Sequence, residues 1–337
     1  MKAVGYRSAL PITSENSLID LELPTPEPKP SDILVRVHAI SVNPVDVKVR
    51  AAVTPPAGEA RILGWDAAGI VEAIGAAVTT FRPGDPVFYA GAIDRPGANS
   101  ELHAVDARIV GRKPASLSPS QAAALPLTAI TAWELLFDRL GVSYGAKTQE
   151  GQLLIINGAG GVGSILIQLA RRLTGLTVIA TASRPETIAW VNDMGAHHVI
   201  DHRHPIDEGL KAIGIPEVRY VASLSGTSEH LPAILKALAP QGKLGLIDDP
   251  ETLDIAPFKR KSLSVHWELM FTRSLFGTAD LVAQGKLLNE VAELVDAGVL
   301  RSTLREELCP INAANLRKAH ALVESGKAVG KLVLAGF

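Results

Sequence analysis

Residues 158–163 read Gly-Ala-Gly-Gly-Val-Gly, set between an apolar run, LLIIN, and an apolar segment of helical spacing, VGSILIQLARRL. Glycines spaced G-x-G-x-x-G between a strand and a helix suit a cradle for phosphate. In such a turn Gly158 permits the tight reversal, Gly160 lets a pyrophosphate approach the backbone, and Gly163 lets helix and strand pack closely. Gly161 and Val162 lie between them, where the positive end of the helix dipole faces the phosphates. A turn that serves only to pack strand on helix is the plainer alternative, yet packing alone does not ask for three glycines at this spacing.

A turn of this kind predicts a dinucleotide, and the end of the next strand bears on which one. There the chain has Ala182, Ser183 and Arg184, with no carboxylate before Glu186. A hydroxyl followed by a guanidinium suits a 2′-phosphate better than two ribose hydroxyls, because Arg offers paired donors to phosphate oxygens. NADPH is therefore the expected cofactor, the alternative being that Arg184 only decorates the start of a solvated helix. The run HHVIDHRH (197–204) holds His197, His198, His202 and His204 beside Asp201. On a strand and its following turn these residues face alternate ways and do not converge on a metal. Instead, His202 and Arg203 are expected to flank the adenosine phosphate or to be solvated. Cys309 is the only cysteine, which excludes an internal disulfide and any zinc site built from several thiolates.

The elements around these residues show how they would be positioned. At 337 residues the chain is long enough for two domains. Lys plus Arg (33) nearly balance Asp plus Glu (35), and no basic block is present to attract nucleic acid or an anionic membrane. The N-terminal MKAVGYRSALPI lacks a signal-peptide core, and no stretch approaches the roughly 18 apolar residues of a membrane span, so a cytoplasmic protein is expected. Residues 1 to about 117 read as an irregular antiparallel β domain, with segments such as ILVRVHAISV punctuated by PTPEPKP, TPPAGEA and RPGDP. SPSQ offers Ser118 as N-cap, Pro119 at the first helical position and Gln121 to close a capping box. Beyond about residue 150 strands alternate with helices through LLIIN, LTVIATA, HHVID, VRYVAS and KLGLID, which implies βαβ crossovers and a parallel sheet. The last elements, LLNEVAELVDAG, INAANLRKAHALVESGK and KLVLAG, could extend that sheet or return to the first domain.

With this order of elements the chain resembles the medium-chain dehydrogenase/reductase superfamily over its whole length. The stretches that carry the resemblance are SVNPVD (41–46), GWDAAGIVEAIG (64–75), RPGDPVF (82–88), LPLTAITAWELL (125–136) and GAGGVGSILIQLA (158–170). The resemblance implies an α/β fold with a doubly wound Rossmann domain over residues 126–270. A GroES-like β-barrel catalytic domain would comprise 1–125 and 271–337. The superfamily's zinc alcohol dehydrogenases place metal ligands where this chain has Asn43, Trp65 and the neighbourhood of Leu125 and Pro126, so no metal is expected. Asn43-Pro44-Val45-Asp46 is instead similar to the metal-free quinone oxidoreductase, or zeta-crystallin, branch, which prefers NADPH; a homodimer is the family default.

Without metal or flavin, the chemistry left is hydride transfer from NADPH to a carbon already activated by conjugation, in a quinone or an α,β-unsaturated carbonyl. The resemblance implies that Asn43 and Thr128 contact the nicotinamide end or the substrate oxygen, although each could equally be a structural hydrogen bonder. Trp65 would pack at the floor of the site, with Asp66 supporting the turn, and Trp267, Met270 and Phe271 would wall a hydrophobic substrate or else serve a core or subunit interface. Lys331 would reach the cofactor phosphate if the C-terminus folds back, or remain solvated. Two other readings fit the fold, a non-catalytic NADPH-binding protein (sensor, structural or RNA-binding) and a zinc-dependent alcohol dehydrogenase.

Overall fold

The computed structural model describes residues 1–148 and 151–337. The chain divides into two compact units, one of residues 1–130 with 271–337 and one of residues 131–270.

The first unit begins with β1 (Lys2–Tyr6), β2 (Ile19–Glu22), β3 (Asp32–Ser41), α1 (Pro44–Ala52), β4 (Arg61–Ile62), β5 (Ala67–Ile74), β6 (Pro86–Tyr89), β7 (Leu102–Asp106) and β8 (Val110–Arg112). Two short helices follow, α2 (Pro119–Ala123) and α3 (Pro126–Trp133). The capping box expected at SPSQ is present: Gln121 N donates to Ser118 Oγ at 3.2 Å and Ser118 N to Gln121 Oε1 at 3.0 Å. The strand-like reading of residues 1–117 misses α1, whose signals are Pro44 in the first turn and Asp46 accepting from the Asn43 amide at 2.8 Å.

The second unit alternates strand and helix: β9 (Gln152–Ile156), α4 (Gly161–Leu173), β10 (Thr177–Thr181), α5 (Pro185–Met194), β11 (His198–Ile200), α6 (Ile206–Ala212), β12 (Val218–Ser223), α7 (Thr227–Ala237), β13 (Leu238–Leu246) and β14 (Ser264–Trp267). All its strand pairings are parallel, in the order β11-β10-β9-β12-β13-β14. This is the doubly wound arrangement expected when apolar strands are buried on both faces by crossover helices. Leu154, Ile179, Val221 and Leu244 form part of its buried core.

The chain then returns with α8 (Thr272–Phe276), α9 (Val282–Asp296), β15 (Leu304–Leu308), α10 (Ala313–Glu324) and β16 (Lys331–Ala335). β16 pairs antiparallel with β3, Val333 opposite Ser41, so the C-terminal elements join the first unit rather than the parallel sheet. The resulting seven-stranded sheet runs β15-β16-β3-β5-β6-β8, with β7 also on β3. Helix α9 packs on β8 at Gly111, where a Cβ would stand 2.5 Å from Leu288 Cβ. Among the described residues no helix is long and apolar enough to cross a membrane.

Candidate functional site

The glycine turn follows β9, the strand at which the sheet order reverses, and opens α4. Its three signature glycines have different reasons to be glycine. At Gly158 a Cβ would lie 2.8 Å from Ala180 Cβ, and at Gly163 one would lie 2.4 Å from Gly158 O, so packing demands both. At Gly160 the nearest atom to an added Cβ is Asn157 O at 3.8 Å, an ordinary contact. Protein packing does not require glycine there, and the backbone is left open to approach. Gly160 is the N-cap of α4 and has no side chain to cap it, so the first-turn amides, including those of Gly161 and Val162, are presented to an anion. The residues fit a pyrophosphate.

Beside the turn, the carboxyl ends of β10 and β11 bring together the residues expected at the adenosine phosphate. Ala182 N donates to Ile200 O at 3.0 Å, which aligns Ser183 and Arg184 with the segment leading to His202 and Arg203. His202 Nδ1 lies 3.2 Å from Thr181 Oγ1, and that hydroxyl also accepts from Asn157 N at 2.9 Å. Burial pushes the His202 imidazole below its ordinary pKa, which favours the neutral ring. Both arginines already have carboxylate partners. Arg184 Nε is 3.1 Å from Glu186 Oε1, and Arg203 grips Asp201 at 2.6 Å, its hydrogen bonds pulling that carboxyl down to about 2. A phosphate would compete with these exposed pairs, which are weak in water.

In the first unit, the residues around the Trp-Asp pair form a buried polar cluster centred on Asp66. Its Oδ2 accepts from Ser41 Oγ at 2.7 Å, Asn43 Nδ2 at 2.8 Å and Lys331 Nζ at 3.0 Å, while Oδ1 accepts from Leu127 N at 2.7 Å. Asp66, Asn43 and Lys331 are each at most 3% exposed. The ammonium of Lys331 also reaches Val42 O at 3.0 Å and Asn43 Oδ1 at 2.5 Å, so its three donors are all used. This corrects the expectation for Lys331. It is neither solvated nor directed at a cofactor phosphate, because the β16–β3 pairing buries it against Asp66. Asp46, one turn into α1, accepts from Gly64 N at 2.9 Å, and burial pushes its carboxyl up to about 7.

The cluster also changes the reading of Asn43 and Thr128. Asn43 is committed through both ends of its amide, and Thr128, 2% exposed, donates its hydroxyl to Leu125 O at 3.1 Å. These are bonds internal to the first unit. Trp65 is buried, donates Nε1 to Ala92 O at 3.2 Å and meets Phe271 edge to face at 6.0 Å. Met270 is also buried, whereas Trp267, on the outermost strand of the parallel sheet, is 51% exposed. Sequence reasoning missed Ser41, Asp46 as a buried carboxyl and Lys331 as the partner of Asp66. The visible signal was Asp66 itself, a carboxylate within an otherwise apolar strand start that must find a cation or several donors.

A doubly wound unit with a glycine turn at its sheet reversal, and a β unit assembled from both ends of the chain, define a two-unit oxidoreductase of the dehydrogenase/reductase class. Residues 29–114 match the family model of the alcohol dehydrogenase GroES-like domain, and residues 194–334 that of zinc-binding dehydrogenase. A zinc-type alcohol dehydrogenase-like protein of Staphylococcus aureus is 39% identical, covering 99% of both chains. A Rhizobium etli structure solved as a provisional zinc-dependent alcohol dehydrogenase is 58% identical with a TM-score of 0.95, covering 100% of this chain and 98% of that one. Escherichia coli quinone oxidoreductase complexed with NADPH is 26% identical with a TM-score of 0.84, covering 99% of this chain and 100% of that one. The chain belongs to the medium-chain dehydrogenase/reductase superfamily.

Zinc, named for some of these relatives, does not fit the residues present. Trp65 has an N–H donor and no lone pair to offer, Asn43 Oδ1 already accepts from an ammonium, and Leu125 and Pro126 have no ligating side-chain atom. Among the described residues no group of three or more His, Cys, Asp or Glu is placed to hold a metal ion.

Proposed function

We propose that this protein is a metal-independent reductase that uses NADPH to pass hydride to a quinone or to the β-carbon of an α,β-unsaturated carbonyl. The observation that carries the reading is Gly160, a glycine with no packing reason to be one, at the head of a helix in a parallel sheet. The pairing of Ser183 with Arg184 at the end of β10 supports a cofactor bearing a 2′-phosphate, and the similar Escherichia coli quinone oxidoreductase was solved with NADPH.

When bound, NADPH supplies the hydride. The backbone amides of Gly160, Gly161, Val162 and Gly163 would hold the pyrophosphate. Ser183 and Arg184, with His202 and Arg203 beside them, would hold the 2′-phosphate. An acceptor activated by conjugation needs no metal to polarise it, which suits a donor set from which a metal is shut out. Asn43 acts by holding its segment in place through Asp66 and Lys331 rather than by donating a proton.

The test is steady oxidation of NADPH and NADH against a panel of ortho- and para-quinones, enals and enones, with and without a chelator. Turnover with NADPH, faster than with NADH and indifferent to the chelator, is expected. Loss of activity with chelator would overturn the metal-free part. The full commitment of Asn43 and Thr128 inside their own unit favours one second reading, a non-catalytic NADPH-binding protein. Cofactor binding with no turnover across the panel would select it. We also propose a cytoplasmic homodimer. Its support is the outermost strand β14, with Trp267 and neighbouring Leu269 each about half exposed; sedimentation at micromolar concentration tests the dimer.

A further inference from the structure

Helices α4 and α5 are tied to each other by side chains close to the glycine turn. Trp190, in the second turn of α5, donates its indole Nε1–H to Ser164 Oγ at 2.8 Å. Ser164 is fully buried in the first turn of α4, and its hydroxyl donates in turn to Gly160 O at 2.7 Å. One helical turn further along, Gln168 of α4 donates Nε2 to Met194 Sδ of α5 at 3.5 Å. The two ties repeat at i and i+4 on both helices, so they oppose any sliding of one helix past the other. Val191 of α5 also packs at the turn, its Cγ1 lying 3.4 Å from where a Cβ on Gly158 would stand.

This chain of donors ends on a peptide group that an anion would meet. The Gly160 carbonyl and the Gly161 N–H belong to one planar trans peptide, so they point in opposite directions. A glycine N-cap has no side chain to hold that plane, and glycine has the most backbone freedom of any residue. Gly160 O accepts from Ser164 N at 2.9 Å as well as from Ser164 Oγ, which pins the plane and aims Gly161 N–H out beyond the start of α4.

The head of α5 carries the other anion contact. Arg184 is its N-cap, six residues before Trp190, or about 9 Å along the axis. Thr187 fixes that cap, its Oγ1 accepting from Arg184 N at 3.1 Å and donating to Arg184 O at 2.8 Å. One short helix therefore bears Arg184 and, through Trp190, holds the amide turn. A ligand with two phosphates gains from both contacts only when their spacing matches its own. We propose that Trp190, acting through Ser164, is a positioning residue that sets this spacing, an inference that rests on the NADPH reading above.

Fragments of the cofactor separate spacing from simple damage to either contact. Adenosine 2′-monophosphate carries only the phosphate expected at Arg184, adenosine 5′-monophosphate only one expected at the glycine turn, and 2′,5′-ADP carries both. Trp190→Phe keeps an aromatic ring and loses the N–H, while the Ser164 hydroxyl still holds Gly160 O. Titration calorimetry on this variant should show 2′,5′-ADP weakened about five- to tenfold, with both monophosphates changed less than about twofold. Ser164→Ala, which carries the test should Trp190→Phe fail to fold, removes the pin as well as the tie. It should weaken 5′-AMP somewhat, 2′,5′-ADP more, and 2′-AMP not at all. A loss for 2′,5′-ADP no greater than that for 5′-AMP overturns the proposal. Wild-type protein that binds 2′,5′-ADP no more tightly than 5′-AMP overturns the NADPH reading itself, and the spacing role falls with it.

Discussion

Gly160 and Gly163 make the sharpest contrast available from single residues, since packing forbids a side chain at one and leaves room for it at the other. Gly160→Val introduces a Cβ that meets no protein atom closer than an ordinary contact, so the variant should fold and melt like the wild type. It should nevertheless lose NADPH affinity on the order of 100-fold or more, because the side chain occupies the approach of the pyrophosphate. Gly163→Val instead drives a Cβ to 2.4 Å from a backbone oxygen and should destabilise the unit by about 2 kcal/mol or more. Calorimetry and cofactor titration on the two proteins separate these effects. The Asp66 cluster is the second residue-level case. Lys331→Met leaves a buried carboxylate with neutral donors only and should cost about 3–5 kcal/mol, whereas Asp66→Leu with Lys331→Met should recover much of that loss. Denaturant unfolding of the single and double variants checks the sign.

At the scale of elements, the parts of the chain with one clear period were the legible ones. VRYVAS is β12 residue for residue, and α5 ends at Met194 because Gly195 takes the left-handed cap, φ 109°. Residues 44–52 were obscured because VKVRAAV alternates as a strand would, and the helix is decided by Pro44 and the Asp46 cap rather than by periodicity. The π-helical turn Glu134–Arg139 had no signal at all. Leu135 of that turn and Leu140 just after it pack against Gly245, where a Cβ would stand 2.6 Å from Leu135. Likewise the strand, glycine turn and helix from β9 to α4 were legible, since they follow one another in sequence, while the Asp66–Lys331 pairing spans 265 positions and depends on which strand β16 joins. The adenosine-phosphate reading is tested where β10 passes into α5. Arg184→Ala should weaken NADPH about 10- to 100-fold, the value of a charge-assisted pair to phosphate, and leave NADH nearly unchanged. Dissociation constants for both cofactors measure this, and an unaltered ratio would remove Arg184 from the site.

For the whole molecule, the buried titratable groups set how stability depends on pH. Burial holds His103 down to about 4, and burial with Arg50 holds His320 down to about 3. The unfolded chain therefore takes up these two protons first as pH falls below about 6.5, so each histidine lowers stability by about 1.4 kcal/mol per pH unit in that range. Asp46 and Glu268 act oppositely. Burial raises them to about 7 and about 9, so the folded chain keeps protons that the unfolded one releases above about 4, and stability declines as pH rises. Between roughly pH 4.5 and 6.5 the two pairs nearly cancel, which predicts a plateau with a fall on either side. On the acid side the depressed carboxyls of Asp32 and Asp296 steepen the loss. His320 isolates one limb, because it is fully buried and neither ring nitrogen has a hydrogen-bond partner among the described residues. His320→Leu should match or exceed wild-type stability at pH 7, since it removes unsatisfied polar atoms. It should also reduce the slope below pH 6 by about 1.4 kcal/mol per unit. Urea unfolding from pH 3.5 to 9 on both proteins measures that difference, and parallel curves below pH 6 would mean that protonation of His320 does not limit acid stability.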